Sequence, residues 1–80
     1  MNNGLFAALK VDRYRLAQKE DVPAYIIFSN AALTDMAARR PHSMEEFLEV
    51  SGVGDKKAAR YGKEFLAVIA AYEAAEAEES

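Results

Sequence analysis

Eighty residues carry ten Lys or Arg, thirteen Asp or Glu and one histidine, for a formal net charge of −3, and 51% of the side chains are apolar. That is room for one small domain with its own core and not for two. There is no cysteine, so disulfides and thiolate metal sites are excluded, and the lone His42 has no second imidazole with which to share a metal.

The charge is uneven along the chain. Glu73, Glu76, Glu78 and Glu79 close it without a basic neighbour, and setting them aside leaves ten basic against nine acidic residues in 1–72. The body is therefore about +1, well short of the footprint of a dedicated DNA-binding domain, and any nucleic-acid contact should be local and salt-sensitive. No apolar run is long enough to cross a membrane, and the start shows no signal-peptide pattern.

From Leu5 the period is helical. Leu5, Phe6, Leu9, Leu16 and Ala17 share one face, Tyr14 lies off its centre, and Lys10, Arg13, Arg15 and Lys19 decorate the rest. Pro23 disfavours helical geometry at Val22, so the helix should stop near Glu20. The apolar stretch from Val22 to Phe28 contains β-branched residues, but a lone strand would leave its backbone unpaired. An extended segment or single helical turn is expected, laid over the core by Ile26, Ile27 and Phe28. Ser29 or Asn30 then caps a helix to about Arg39 with Leu33, Met36 and Ala37 inward, and Pro41 ends it.

Ser43-Met44-Glu45-Glu46 fits a capping box opening a short helix, with Met44, Phe47 and Leu48 buried. After Gly52-Val53-Gly54 the longest pattern begins, with Ala58, Tyr61, Phe65, Val68, Ile69 and Tyr72 three and four apart. Gly62 inside it costs roughly 1 kcal/mol against alanine, which suggests close packing of a neighbour. The expected architecture is all-α: a bundle of four main helices plus a short helical turn, with a helix-hairpin-helix-like junction. Residues 1–4 form a flexible start, 5–72 the helical domain and 73–80 an acidic, disordered tail.

Catalysis is not expected. The carboxylates fall at wet positions, no serine or threonine has a histidine partner, and no metal cluster is indicated. Two constellations suggest nucleic acid instead. The Gly-Val-Gly turn with Lys56, Lys57 and Arg60 has the spacing of a hairpin that holds nucleic-acid backbone on turn amides, although Asp55 opposes a phosphate there and the same turn can simply join two helices. Tyr25, on a non-helical segment beside Lys19 or Arg15, could stack on an unpaired base while the cations hold phosphates; the alternative is packing with Ile26 and Phe28, and the alternation around Pro23 favours at least partial exposure.

Taken together, Leu5-Phe6-x2-Leu9, Arg13, the Val22-Pro23-Ala24-Tyr25-Ile26-Ile27-Phe28-Ser29-Asn30 box, Ala31-x-Leu33-x2-Met36-Ala37, Pro41, Leu48-x-Val50-x-Gly52-Val53-Gly54 and Lys57-x3-Tyr61-Gly62 resemble the HRDC (helicase and RNase D C-terminal) domain in register from about Leu5 to Tyr72. The detail is most similar to bacterial RecQ-type DNA helicases. The resemblance implies a non-catalytic accessory module that tunes how an ATP-dependent helicase engages single-stranded or junction DNA in repair and recombination. Carried over by position, it points to Tyr25 as the stacking aromatic and to Arg13 and Lys19 as phosphate partners, with Lys10 and Arg15 beside them. Lys56, Lys57 and Arg60 remain a secondary basic surface. No cofactor is expected for this domain, ATP and a divalent metal being confined to the parent helicase core. A monomer in the bacterial cytoplasm, associated with the nucleoid, is implied. Two other readings accompany this one: a protein-interaction or intramolecular regulatory module with little DNA affinity, suggested by the near-neutral body, and the accessory domain of an RNase D-like exonuclease.

Overall fold

The computed structural model describes residues 3–79. They form helices α1 (Asn3–Glu20), α2 (Ala24–Ile27), α3 (Asn30–Arg39), α4 (Met44–Phe47) and α5 (Asp55–Glu79), and no strand. Of the start expected to be flexible, residues 1 and 2 lie outside the described residues, whereas Asn3 and Gly4 already belong to α1.

The two long helices, α1 and α5, pack on each other and carry the short elements between them. α1 buries Leu5, Leu9, Leu16 and Ala17, the face that its periodicity marks. Its end is a Schellman motif: the Val22 N–H donates to the Ala17 carbonyl at 3.0 Å and the Asp21 N–H to the Gln18 carbonyl at 3.3 Å. Asp21 takes the left-handed conformation there (φ 57°) in place of the usual glycine.

Pro23 then starts the single turn α2 from extended geometry (ψ 149°). One turn can bury only one side. Ile27 and Phe28 go fully inward, while Tyr25 and Ile26 face out at 67% and 45% exposure, so the expectation that Ile26 lies over the core is corrected. Phe28 becomes a hub, meeting the rings of Phe47, Tyr61 and Phe65 edge-on at centroid distances of 6.1, 5.8 and 5.1 Å. Ser29 caps α3 by accepting the Ala32 N–H at 3.0 Å, and Leu33, Met36 and Ala37 are buried as their spacing requires.

The capping serine of α4 also forms, with the Glu46 N–H on Ser43 Oγ at 3.1 Å. The Glu46 carboxylate reaches one residue further back than the box prescribes and accepts the His42 N–H at 2.7 Å. The all-α bundle is as expected, with five helices, but α4 lasts only one turn where a fourth main helix is expected. The reason is a tightening of the backbone beyond Phe47: Glu49, Val50 and Val53 donate to the carbonyls three residues back. That rotates Val50 into the core (2% exposed) and leaves Leu48, expected to be buried, 41% exposed.

Gly52 turns the chain in the left-handed region (φ 80°), and α5 follows. Gly62 lies beneath α4, where an added Cβ would meet the Met44 thioether at 2.7 Å, so the costly helix glycine does mark a close neighbour. α5 also runs past Tyr72 to Glu79, where a disordered tail from 73 is expected. Its acidic residues find partners in the α3–α4 turn: Arg40 Nη1 to Glu76 at 2.7 Å and to Glu73 at 3.4 Å, and His42 Nε2 to Glu73 at 2.8 Å. The alanines between them favour helix, and the partners lie more than thirty residues away in sequence. Ser80 falls outside the described residues.

Candidate nucleic-acid interface

A groove of about 530 Å³ separates the end of α1 and the α2 turn from the first turns of α5, lined by Glu20, Val22, Ile26, Lys56, Lys57, Arg60 and Tyr61. The topology places it there: the Schellman turn delivers Val22 and α2 to one wall, and Gly52-Val53-Gly54 aims the start of α5 along the other. Val22 and Ile26 give an apolar wall, and three cations face one carboxylate. Glu20 is itself engaged, accepting from Arg60 at 3.2 Å and from the Tyr61 hydroxyl at 2.8 Å. Burial, and then that bond to Glu20, push the Tyr61 phenol above its ordinary value, so it remains a neutral donor at physiological pH. Lys57 Nζ sits over the Phe28 ring at 5.8 Å and Arg60 over the Tyr61 ring at 5.5 Å.

Tyr25 lies on the same α2 turn, one residue before Ile26, and does not itself line the groove. Its ring is two-thirds exposed, so the alternative in which it packs with Ile26 and Phe28 does not hold. The residues proposed to accompany it divide. Lys19 is exposed in the last turn of α1. Lys10 is exposed with its Nζ over the Phe6 ring at 5.4 Å. Arg15 is occupied, paired with Asp12 at 3.0 Å and with Glu64 of α5. Arg13 is corrected outright. It is only 8% exposed and donates from Nη1 to the Phe28 carbonyl at 2.8 Å, so it cannot also hold a phosphate at the surface. The signal was present in the spacing: Arg13 lies four residues after Leu9 and three before Leu16, in the middle of the buried stripe.

The larger change concerns Lys56, Lys57 and Arg60. They share a groove with Val22 and Ile26, two residues of the box that carries Tyr25. The α5 N-terminus adds the partial positive charge of its helix, with Asp55 at its first position as a partial counterweight. Sequence reading also passed over the outer face of α1, where Val11 and Tyr14 are 69% and 63% exposed. Among the described residues no three His, Asp or Glu side chains come together as a metal site would require, and no helix is long and apolar enough to cross a membrane.

Comparison with known proteins gives a consistent result. The family model described as "HRDC domain" matches residues 2–69. The chain is 43% identical over 70 residues to the ATP-dependent DNA helicase RecQ of Haemophilus influenzae, covering 88% of this chain and 11% of that protein. It is 38% identical over 71 residues to the RecQ helicase of Bacillus subtilis, covering 89% and 12%. The chain thus spans about a tenth of the length of these relatives. Among solved structures, D. radiodurans RecQ HRDC domain 3 superposes with a TM-score of 0.83 at 37% identity, covering 85% of this chain and 90% of that one.

Proposed function

The chain belongs to the HRDC domain family, and from that premise we propose that it serves a RecQ-type ATP-dependent DNA helicase as a non-catalytic accessory domain that engages unpaired DNA. The observation that carries the reading is Tyr25, held out at 67% exposure on an anchored single turn beside a groove with three cations. An exposed aromatic offers a face to any base, and cations lining a groove beside the same turn can take the neighbouring phosphates, an arrangement that tolerates sequence. Lys56, Lys57 and Arg60 are the phosphate partners in this proposal, with Lys19 extending the track, and Lys10 and Arg15 peripheral. Three to four such contacts on a near-neutral body give weak, salt-dependent binding to single strands or to the unpaired arms of junctions. That suits a module that assists a helicase core in repair and recombination in the bacterial cytoplasm. ATP and a divalent metal belong to that core and not to this domain.

Titration of a fluorescent deoxythymidine oligomer at low salt tests the reading. Tyr25→Ala should weaken binding by about tenfold, within the range one stacked base contributes. Binding by that variant equal to the parent's would remove the stacking role. A second reading, docking onto the helicase core, is favoured by the apolar exposure of Val11 and Tyr14 on α1. It is distinguished by a domain that ignores DNA at low salt yet binds the core in trans.

A further inference from the structure

We propose that Arg13 is a positioning residue for the Tyr25 site, acting through the Phe28 carbonyl on the turn that presents Tyr25 and Ile26. The part of this proposal that concerns DNA rests on the function proposed above; the part that concerns the turn does not.

Arg13 is 8% exposed, and its Nε–H is buried with no hydrogen-bond partner. A buried guanidinium with an orphaned N–H is costly, and an apolar side chain of similar shape in the same place is often equally stable or more so. Packing is therefore a poor account of a cation at this position. What the cation does is visible in its one bond, Nη1 to the Phe28 carbonyl at 2.8 Å.

That carbonyl needs a donor from outside its own segment. Phe28 is extended (φ −152°, ψ 145°) between the last residue of α2 and Ser29, the cap of α3. The α2 turn is four residues long, and its closing bond, Phe28 N–H to the Ala24 carbonyl, is a long 3.4 Å. A single turn has no stability of its own, so it keeps its shape through what anchors its end. The anchors are the buried side chains of Ile27 and Phe28 and the bond from Arg13.

Phe28 also connects the two walls of the groove. Ile26 of one wall lies two residues before it, on the turn that also carries Tyr25, while Lys57 and Tyr61 of the other wall contact its ring. Arg13 thus sets the spacing of a site that its own charge never reaches.

The test uses the full chain with Arg13→Met and Arg13→Lys. Without DNA, Arg13→Met should accelerate amide exchange in residues 26–28 while α5 stays protected, and Arg13→Lys, which keeps a cationic donor on a shorter side chain, should restore part of the protection. With a deoxythymidine oligomer titrated at several salt concentrations, Arg13→Met should weaken binding about tenfold, as loss of one stacked base would, with the slope of log K against log salt unchanged. A slope shallower by about 0.7, the mark of a lost phosphate contact on a single strand, overturns the proposal. So does acceleration spread evenly over the molecule or absent from α2.

If Arg13→Met does not fold, the parent protein decides. Its Arg13 Nε–H resonance should exchange slowly and stay in place as oligomer is added, and a shift as large as those of the groove lysines contradicts the proposal. If the parent binds no oligomer, the proposed function fails, and the exchange pattern without DNA still decides whether Arg13 holds the turn.

Discussion

Gly52 and Gly54 stand two residues apart in the hairpin and do different work. Gly52 has φ 80°, and a Cβ there would meet the Ala32 Cβ at 3.3 Å, whereas a Cβ on Gly54 would meet nothing within 4 Å. Gly52→Ala combines left-handed strain of about 1–2 kcal/mol with a tight contact, and urea denaturation should show a loss of at least that size. Gly54→Ala changes only the residue ahead of α5 and should stay within about 1 kcal/mol. Equal losses at the two positions would mean that the turn is not fixed by Gly52. The same scale explains Arg13 and Arg15. Side chains that decorate a helix on paper are drawn off by groups distant in sequence, one by the Phe28 carbonyl and the other by Glu64.

At the scale of the element, the last turns of α5 are held by charge and not by a core. Glu76 is kept below the ordinary carboxylate range chiefly by its hydrogen bond from Arg40. Asp35 is lowered first by the Ser51 backbone N–H and then by Arg39, and it ties α3 to the turn ahead of α5. A carboxyl group whose pKa is depressed in the fold stabilises it fully above its unfolded value, and that contribution is lost as pH falls through the folded one. The window therefore lies below about pH 4. Cα chemical shifts should report helix at residues 74–79 at pH 7 and low salt, then move toward coil below that pH. Glu76→Gln should show much of the loss already at pH 7. Coil shifts at neutral pH in the parent, or helix unchanged by acid, would contradict the clasp. Because the pairs are partly exposed, added salt should weaken it as well.

For the whole molecule, the all-α architecture was legible because periodicity and capping report burial directly. Leu33 with Met36 and Ser29 with Ser43 behave as local rules require. What was not legible depended on pairing across the fold. The tail was judged by its own composition, but Glu73 and Glu76 meet Arg40 and His42 from the far side of the bundle. Leu48 turns outward and Val50 inward because the backbone tightens after Phe47, which no apolar count reveals. The candidate site was half legible. Tyr25 is exposed, as the alternation around Pro23 suggests, and Pro23 separates its turn from α1. That Lys56, Lys57 and Arg60 face Val22 and Ile26 across a groove follows only from the way α1 and α5 pack. Net charge over the chain conceals this local excess, because the acidic residues gather at the opposite end of α5.

The central claim is that Tyr25 and the start of α5 form one surface for unpaired DNA. Amide chemical-shift mapping of the 15N-labelled domain with a short deoxythymidine oligomer at low salt tests it most directly. The largest changes should fall at Tyr25 and Ile26 and at Lys56, Lys57 and Arg60 together, fading as salt is raised. Changes confined to the outer face of α1, or none at saturating oligomer, would contradict it.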